Sequence, residues 1–419
     1  MRGLLRRIPA AVRRDYAGTL LVHWFTLGTG LYLFHLVADR GGPAGFAYYQ
    51  IARGVVSTGQ PLVMAGIGTG VQRYLPRTQD TTRDLAHQAL LAQTIIVVLV
   101  TAAGAALGTP AAHWLGLDGR PAVVAVLIML GGNCVCTLTV AALRGSHQVA
   151  RANVTAAVGL AAVPLIAFLF AERIDDFLIQ QGAGAAVVAL ASALTVPRRN
   201  ARPLPHPGPG EPTLTTIFAY GLRRVPADLA LPALYTFPTL AVATARPGGP
   251  EAGHIGFATS AVTLICSFFG MLTPVLLPRL SQYFHRPGGD SAVSRMLTSL
   301  PLLAAGLAAL PTGVFVLFAP VVVEKFLGAG FDGAVPVLRL GVLSAVPFAM
   351  YYAARPTLDA LLDAVTVSKL LLGCLALEAV LTYAMFPFLD PQYAAAAGLC
   401  GAAAVLGLLA DRMVARALS

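Results

Sequence analysis

Apolar residues run along this chain in long blocks, and short polar segments separate the blocks. A helix needs roughly twenty mainly apolar residues to cross the hydrocarbon core of a bilayer, and each block reaches about that length. Because lipid leaves exposed peptide groups without hydrogen-bond partners, each block is predicted to be helical. The pattern therefore predicts an all-α, polytopic membrane protein. The expected spans, about twelve, lie near residues 17–38, 44–71, 86–108, 121–143, 151–171, 174–196, 214–245, 252–277, 295–319, 334–355, 364–387 and 393–413.

Composition supports the same class. Of the 419 residues, 57% are hydrophobic and only 11% are charged, whereas soluble domains carry roughly 25% charged residues. The net charge of +10 comes almost entirely from arginines in the polar segments between spans, so membrane topology explains it better than nucleic-acid binding. We expect no nucleic-acid partner. The five cysteines lie in apolar blocks without a second ligand pair, so no metal site and no cofactor are expected.

Basic residues predict the orientation of the spans. With both termini in the cytoplasm, 21 basic residues fall on the cytoplasmic side and five on the other, as the positive-inside rule requires. This bias indicates a multi-pass protein of a bacterial-type plasma membrane. Residues 1–16 set apolar side chains opposite several arginines, which predicts an amphipathic segment lying on the cytoplasmic interface.

The two halves of the chain show a weak internal repeat. Arg13-Arg14 precedes the first span and Arg223-Arg224 lies near the start of the seventh, while Gly45-Phe46 recurs as Gly256-Phe257. The offsets are similar, at 223 − 13 = 210 and 256 − 45 = 211. The Pro-rich stretch 197–212 is predicted to be a cytoplasmic linker between six-helix lobes at 17–196 and 213–419. Six spans per lobe imply parallel repeats related by a pseudo-twofold axis along the membrane normal.

One polar stripe lies inside the second predicted span. Gln50, Arg53, Ser57 and Gln60 follow one another at helical spacing, and a buried charge there costs several kcal/mol unless it is paired or hydrated. A milder stripe recurs 210 residues later, at Ser260, Thr263 and Ser267. The functional interpretation is a hydrophilic cavity between the lobes in which Arg53 holds an anion. The structural alternative is an interhelical hydrogen-bond network, with Arg53 reaching the outer interface.

Three further groups are candidates for chemistry. Arg223 and Arg224 either form a cationic entrance for phosphate or cap a helix start, with Asp228 paired to Arg224. Asp228 and Glu378 are the candidates for ion coupling, although Glu378 is equally able to bond to Thr382 one turn later. The glycines of residues 66–70 lack the strand–helix context of a phosphate loop, so they are predicted to allow close helix approach or bending.

Six stretches of the chain together match a known family: residues 45–49 (GFAYY), 71–75 (VQRYL), 220–226 (YGLRRVP), 256–257 (GF), 277–281 (LPRLS) and 327–338 (LGAGFDGAVPVL). In these stretches the chain resembles the polysaccharide-biosynthesis flippases of the multidrug/oligosaccharidyl-lipid/polysaccharide (MOP) superfamily, which flip O-antigen-type lipid-linked oligosaccharides. The resemblance covers most of the chain at low specificity and lies more in order and spacing than in any single motif. Phe257 stands where the family usually has Tyr. The twelve predicted spans also argue against the fourteen-span lipid II flippases.

The resemblance implies two six-helix bundles that open alternately to the two sides of the membrane. It implies a transporter rather than an enzyme, with an oligosaccharide on a polyprenyl diphosphate as substrate. It also implies cationic residues in a central cavity, a role that Arg53, Arg223 and Arg224 fit. The implied partners are this lipid-linked oligosaccharide, membrane lipid and the glycosyltransferases or polymerase of the same pathway.

Three other functions remain open from the sequence. A cation-coupled multidrug exporter of the same superfamily should hold acidic residues in its cavity, whereas the stripe here carries Arg53. A membrane glycosyltransferase or polymerase usually needs a sizeable outer loop with acids and arginines, and the outer loops here are short. A scaffold that transports nothing is the third.

Overall fold

Most of the part of the protein that the structure describes is helical. The computed structural model describes residues 10–75, 82–108, 119–194, 213–273 and 291–418, together with residues 110, 112, 117, 276 and 280. No strand occurs in these ranges. The helices are α1 (Ala10–Met64), α2 (Ile67–Tyr74), α3 (Thr82–Leu107), α4 (Gly119–Gly145), α5 (Val149–Ala157), a π-helical turn (Val158–Ala162), α6 (Val163–Phe170), α7 (Ile174–Leu194), α8 (Leu214–Ala245), α9 (Glu251–Gly270), α10 (Ser291–Leu317), α11 (Ala319–Phe326), α12 (Ala334–Gly341), a 3₁₀ turn (Val342–Ser344), α13 (Ala345–Leu361), α14 (Ala364–Met385) and α15 (Pro391–Leu418).

The described residues contain eleven helical segments that are long and apolar enough to cross a membrane. The first, Ala17–Met64, has 48 residues, which would make about 72 Å of straight helix against a hydrocarbon core of about 30 Å. It is interrupted at Gly42, where φ is 59° and ψ is −167°, so it holds the first predicted span and most of the second. The prediction of an all-α, multi-pass membrane protein with about twelve spans is confirmed.

The second predicted span, 44–71, is wrong as one continuous helix. It ends at Met64, and both Ala65 and Gly66 have positive φ values, 46° and 69°, before α2 begins. A Cβ atom on Gly66 would lie 2.4 Å from the Cα of Gly221 in α8, so the backbones nearly touch there. The glycines of residues 66–70 therefore allow close helix approach, as their spacing predicts.

The chain forms two compact units. The first takes in residues 1–36, 59–113 and 118–225 so far as the structure describes them. Its α4 and α7 lie in backbone contact, because a Cβ on Gly132 would come within 1.9 Å of the carbonyl oxygen of Gly182. A core of small buried side chains next to this contact holds the two helices together: Val135, Cys136, Ala185 and Ala189.

The second unit takes in residues 37–58, 114–117 and 226–419, again so far as they are described. Two glycines of α9 bring the 43–58 part of α1 close. A Cβ on Gly253 would lie 3.1 Å from the Cα of Ala47, and one on Gly256 would lie 2.8 Å from the Cβ of Gln50. This contact sets the polar stripe of α1 directly against α9.

The predicted lobes, 17–196 and 213–419, stay a prediction. Residues 1–9 of the predicted interfacial segment lie outside the described residues, as does the predicted linker at 197–212.

Candidate functional site

Helix α8 carries three prolines and borders a polar cavity. It contains Pro226, Pro232 and Pro238, each of which removes one backbone donor from the helical ladder and favours a kink. The hydroxyl of Thr236 donates to the carbonyl oxygen of Pro232, one turn earlier in the same helix, at 3.1 Å. The same hydroxyl contacts that of Thr58 in α1, within the second unit.

The cavity lies inside the second unit and has a volume of about 280 Å³. Three helices, α1, α8 and α9, supply most of its wall, and α13 adds one tyrosine. No carboxylate is found among the described residues of the wall, and most of its polar groups are hydroxyls. The lining residues are Gln50, Arg53, Gly54, Ser57, Leu231, Pro232, Tyr235, Thr236, Thr239, Thr259, Ser260, Thr263 and Tyr352.

Arg53 supplies the positive charge of this wall. It is half-buried, and its Nη1 donates to the Oε1 of Gln50 at 2.9 Å and to the Oγ of Ser260 at 3.4 Å. Its Cζ lies 5.8 Å from the ring centroid of Tyr49, within the range of a cation–π contact. The guanidinium is thus held by two neighbouring polar groups and one aromatic ring in the second unit.

The hydroxyl groups that α9 contributes to the cavity wall are mainly acceptors toward a ligand. Ser260 donates to the carbonyl oxygen of Gly256 at 2.7 Å, and Thr263 donates to that of Thr259 at 2.9 Å. A hydroxyl whose one proton is already bonded to the backbone offers only lone pairs to a ligand. The Nε2 of Gln50 is buried and has no hydrogen-bond partner among the described residues, so it is a spare donor beside Arg53. The α1 side of the cavity therefore offers hydrogen-bond donors to an anion, and the α9 side offers acceptors to hydroxyl groups of a ligand.

The structure brings some of the predicted stripe residues together and separates others. Ser57 joins the cavity wall. Gln60 is in the first unit, where its Nε2 donates to the hydroxyl of Thr137 at 2.9 Å. Ser267 is absent from the lining, and its hydroxyl donates to the carbonyl oxygen of Leu264 at 2.7 Å.

The part of the wall that comes from α8 and α13 was not predicted from the sequence. Tyr235 and Thr239 are one turn apart on α8, and Thr236 lies between them. The ring of Tyr235 stacks on Phe348 at a centroid distance of 4.5 Å, which fixes its position at the cavity. The signal was present in α8 as polar residues on one side of a proline-rich span. Tyr352, by contrast, lies in a mainly apolar helix and gave no comparable pattern.

Arg223 and Arg224 lie in the first unit and not on the cavity wall. Arg223 is exposed. Arg224 is half-buried, and its Nη1 lies 3.5 Å from the hydroxyl oxygen of Tyr220.

Asp228 lies in the second unit and interacts electrostatically with Arg355. The Nε of Arg355 is also 3.5 Å from the Oδ2 of Asp359 in the same helix. The predicted span 334–355 ends at Arg355. The structure places it inside α13, which continues to Leu361, so that span is longer than predicted.

Glu378 is fully buried in α14. Neither of its carboxyl oxygens has a hydrogen-bond partner among the described residues, and the hydroxyl of Thr382 has none either. The predicted alternative, a bond between Glu378 and Thr382, is therefore not made. Gly398 of α15 lies against this pair, because a Cβ there would come 2.2 Å from the Oγ1 of Thr382. A buried carboxyl group with two unused oxygens is suited to taking up a proton or a cation.

Neither a family model nor a curated protein sequence matches the chain. Solved structures do resemble it. The multidrug transporter DinF-BH in complex with R6G has a TM-score of 0.64 at 13% identity, covering 98% of this chain and 96% of that one. Lipid II flippase MurJ in an inward closed conformation has a TM-score of 0.62 at 11% identity, covering 95% and 90%.

A third similar structure is a MOP superfamily transporter from Pyrococcus furiosus, for which the reverse polarity of the binding pocket suggests a different function. Its TM-score is 0.60 at 14% identity, covering 97% of this chain and 96% of that one. At these identities the likeness establishes the fold. The chain has the two-lobed helical fold of MOP superfamily transporters.

Proposed function

We propose that this protein moves a polyprenyl-diphosphate-linked oligosaccharide from the cytoplasmic to the outer leaflet by alternating access, for cell-surface polysaccharide synthesis. The single observation that carries the proposal is the cavity of the second unit. There the guanidinium of Arg53 lies among hydroxyl groups, with no acidic residue in the described wall. Flippases and exporters both occur among the proteins that share this fold, so the fold by itself does not choose between them.

The chemistry of the wall suits a diphosphate followed by a sugar. A planar guanidinium binds phosphate oxygens through paired, charge-assisted hydrogen bonds, and the spare Nε2 donor of Gln50 adds to them. The hydroxyls of Ser260 and Thr263 present lone pairs that accept hydrogen bonds from sugar hydroxyls. A sugar hydroxyl moved through bare hydrocarbon would lose its partners at a cost of roughly 2–7 kcal/mol each. A polar path removes most of that barrier.

The size of the cavity indicates which part of the substrate it holds. Pockets that bury drug-sized ligands have volumes of roughly 300–1,000 Å³. A cavity of about 280 Å³ is small for such a ligand and suits the diphosphate with its adjoining sugar. In this proposal the rest of the glycan follows through hydrated space and the polyprenyl tail stays in lipid.

Coupling to an ion gradient is assigned to the buried carboxyl of Glu378, with Asp228 as the second candidate. Glu378 favours this role because both of its oxygens lack a partner in the described structure. Asp228 is the weaker candidate because it already interacts with Arg355.

The alternative function is a cation-coupled multidrug exporter. Glu378 favours it, since a buried carboxyl is what ion coupling needs. The cavity disfavours it, because a cationic drug would meet Arg53 and no described carboxylate there. The two functions therefore predict opposite charge preferences for the substrate.

The test is leaflet exchange in liposomes that contain the purified protein. A fluorescent polyprenyl-diphosphate sugar is placed in both leaflets, and the fraction that an external quencher reaches is followed over time. We expect exchange well above that of empty liposomes, and Arg53→Ala is expected to slow it roughly 10–100-fold, since a hydrogen bond to a charged group contributes about 1.5–3 kcal/mol. Arg40→Ala, at an exposed arginine of the same helix, is the matched control and should leave the rate unchanged.

Wild-type exchange no faster than in empty liposomes defeats the flippase proposal. Rapid exchange of a cationic dye, unaffected by polyprenyl diphosphate, would favour the exporter. Exchange that is rapid and indifferent to Arg53→Ala would keep the function but remove the proposed site.

A further inference from the structure

A second basic cluster lies in the first unit and shares no residue with the cavity wall. It is built where α2 crosses the beginning of α8. A Cβ on Gly66 would lie 2.4 Å from the Cα of Gly221, and one on Gly70 would lie 2.7 Å from the Cγ2 of Ile217. With the two backbones this close, the side chains one turn further along each helix have little freedom in their relative positions.

Those next side chains are two tyrosines and an arginine. The Cζ of Arg73 lies 4.5 Å from the ring centroid of Tyr220 and 5.7 Å from that of Tyr74. The two rings are almost perpendicular, at an angle of 89° and a centroid distance of 5.6 Å. Stacking against aromatic faces orients a guanidinium while leaving N–H groups in its plane available to a ligand.

A second guanidinium approaches the same phenol. The Nη1 of Arg224 is 3.5 Å from the hydroxyl oxygen of Tyr220, and both arginines act electrostatically on that side chain. Arg73 is exposed and forms no ion pair with a carboxylate in the part of the chain that the structure describes. Two like charges that converge on one phenol repel each other, and an anion between them would offset that repulsion.

We propose that Arg73, Tyr220 and Arg224 form a binding site for the phosphate of a lipid headgroup. Guanidinium groups bind phosphate oxygens in pairs, and the phenol adds one more donor. The site lies near the start of a long apolar segment, Leu214–Ala245, and aromatic and basic residues at the ends of such segments meet lipid headgroups. The inference rests on the proposed function in one respect: it takes the bound phosphate to be the diphosphate of the transported substrate. The substrate then binds at this site before it reaches Arg53.

The phosphate has three sources that the test must separate: polyprenyl diphosphate, an anionic phospholipid of the bilayer, and soluble pyrophosphate. The full-length protein is placed in nanodiscs of zwitterionic lipid, and its Kd for each of the three probes is measured by fluorescence. Arg73→Ala, Arg73→Lys, Tyr220→Phe and Arg224→Ala are compared with the wild type. Arg151→Ala, at an exposed arginine of the first unit that bonds to Gln148, is the matched control.

We expect Arg73→Ala and Arg224→Ala to weaken polyprenyl-diphosphate binding roughly tenfold, with smaller losses for Arg73→Lys and Tyr220→Phe. Arg151→Ala should stay within twofold of the wild type. An equal loss for pyrophosphate supports a site for the phosphate alone. If only phospholipid binding falls, a structural lipid occupies the site and the assignment to the substrate is overturned.

The inference is overturned if Arg73→Ala, Arg73→Lys and Tyr220→Phe all bind the three probes with wild-type affinity. Arg73→Lys and Tyr220→Phe are included because both keep the fold. The outcome is distinct from failure of the proposed function. Weakened binding in a protein that gives no leaflet exchange removes the transport proposal and keeps this site. Leaflet exchange by the wild type, with binding unchanged in the variants, keeps the transport proposal and removes this site.

Discussion

The contact between Gly256 of α9 and Gln50 of α1 predicts how a single methyl group would alter the cavity. A Cβ at Gly256 would lie 2.8 Å from the Cβ of Gln50 and 2.9 Å from its Cγ. Both are closer than Cβ atoms normally approach, so Gly256→Ala must displace Gln50. The Oε1 of Gln50 is the acceptor that holds Arg53 at 2.9 Å, so the displacement reaches the guanidinium directly.

The expected magnitude combines two effects of opposite sign. Overpacking a close helix contact costs about 1–3 kcal/mol, whereas replacing a glycine inside a helix by alanine gains about 0.5–1 kcal/mol. The net expectation for Gly256→Ala is a loss of about 1–2 kcal/mol of stability. Gly306→Ala is the matched control, since Gly306 lies inside α10 of the same unit and an added methyl group would have no atom within 4 Å. Only the favourable effect remains there, so it should stabilise the protein slightly.

The assay is thermal unfolding in detergent, followed by the leaflet-exchange measurement on the same preparations. Gly256→Ala should unfold at a lower temperature than the wild type and exchange substrate more slowly, and Gly306→Ala should do neither. Equal unfolding temperatures for the two variants would refute the claim that the α1–α9 contact is tight. A destabilised Gly256→Ala with wild-type exchange would refute the coupling between that contact and Arg53.

Three further outcomes are expected. Glu378→Gln, which keeps the shape of the side chain, should leave exchange in the absence of a gradient intact and abolish its acceleration by an imposed proton or sodium gradient; acceleration equal to the wild type would remove Glu378 from coupling. Gly182→Ala should be more destabilising than Gly256→Ala in thermal unfolding, because the new Cβ would lie 2.3 Å from the carbonyl oxygen of Ile128, and backbone yields less readily than a side chain. The hydrogen bond from Thr366 lowers the pKa of the exposed Asp363 below its ordinary 3.8. Any stability that Asp363 provides is therefore fully present above pH 3.8, and it is lost as the pH falls through the lowered pKa. The difference in unfolding temperature between the wild type and Asp363→Ala should therefore shrink on acidification, and a difference that grows would contradict this sign.

The spans were predictable because they depend on local properties. Hydrophobic length sets where a helix can cross a bilayer, and neighbouring helices change this little. The predicted span at 214–245 coincides with α8, and the predicted starts at 174 and 334 coincide with those of α7 and α12. The polar stripe from Gln50 to Ser57 was visible for a similar reason, because helical periodicity alone puts those residues on one side of a helix.

The glycines of residues 66–70 indicated close approach or bending, but the end of α1 at Met64 and the final membership of the site were not predictable in this way. Gln60 has the right spacing to continue the stripe, yet it contacts Thr137 in the first unit because the helix that carries it passes from one compact unit to the other near residue 58. Tyr352 lies almost 300 positions from Arg53 along the chain and reaches the same cavity only through the packing of α13.

By itself, the amino-acid sequence determined that this protein is a bundle of membrane helices and that Arg53 is a charge placed at a depth where it needs polar partners. The tertiary structure alone decided which partners it has: glycines at 253 and 256 let α9 approach α1, and the packing of α8 brings its hydroxyls to the same cavity. The physical reason is range. Hydrophobicity and helical periodicity act over one or two turns, whereas a cavity is defined by close contacts between helices that are remote in sequence.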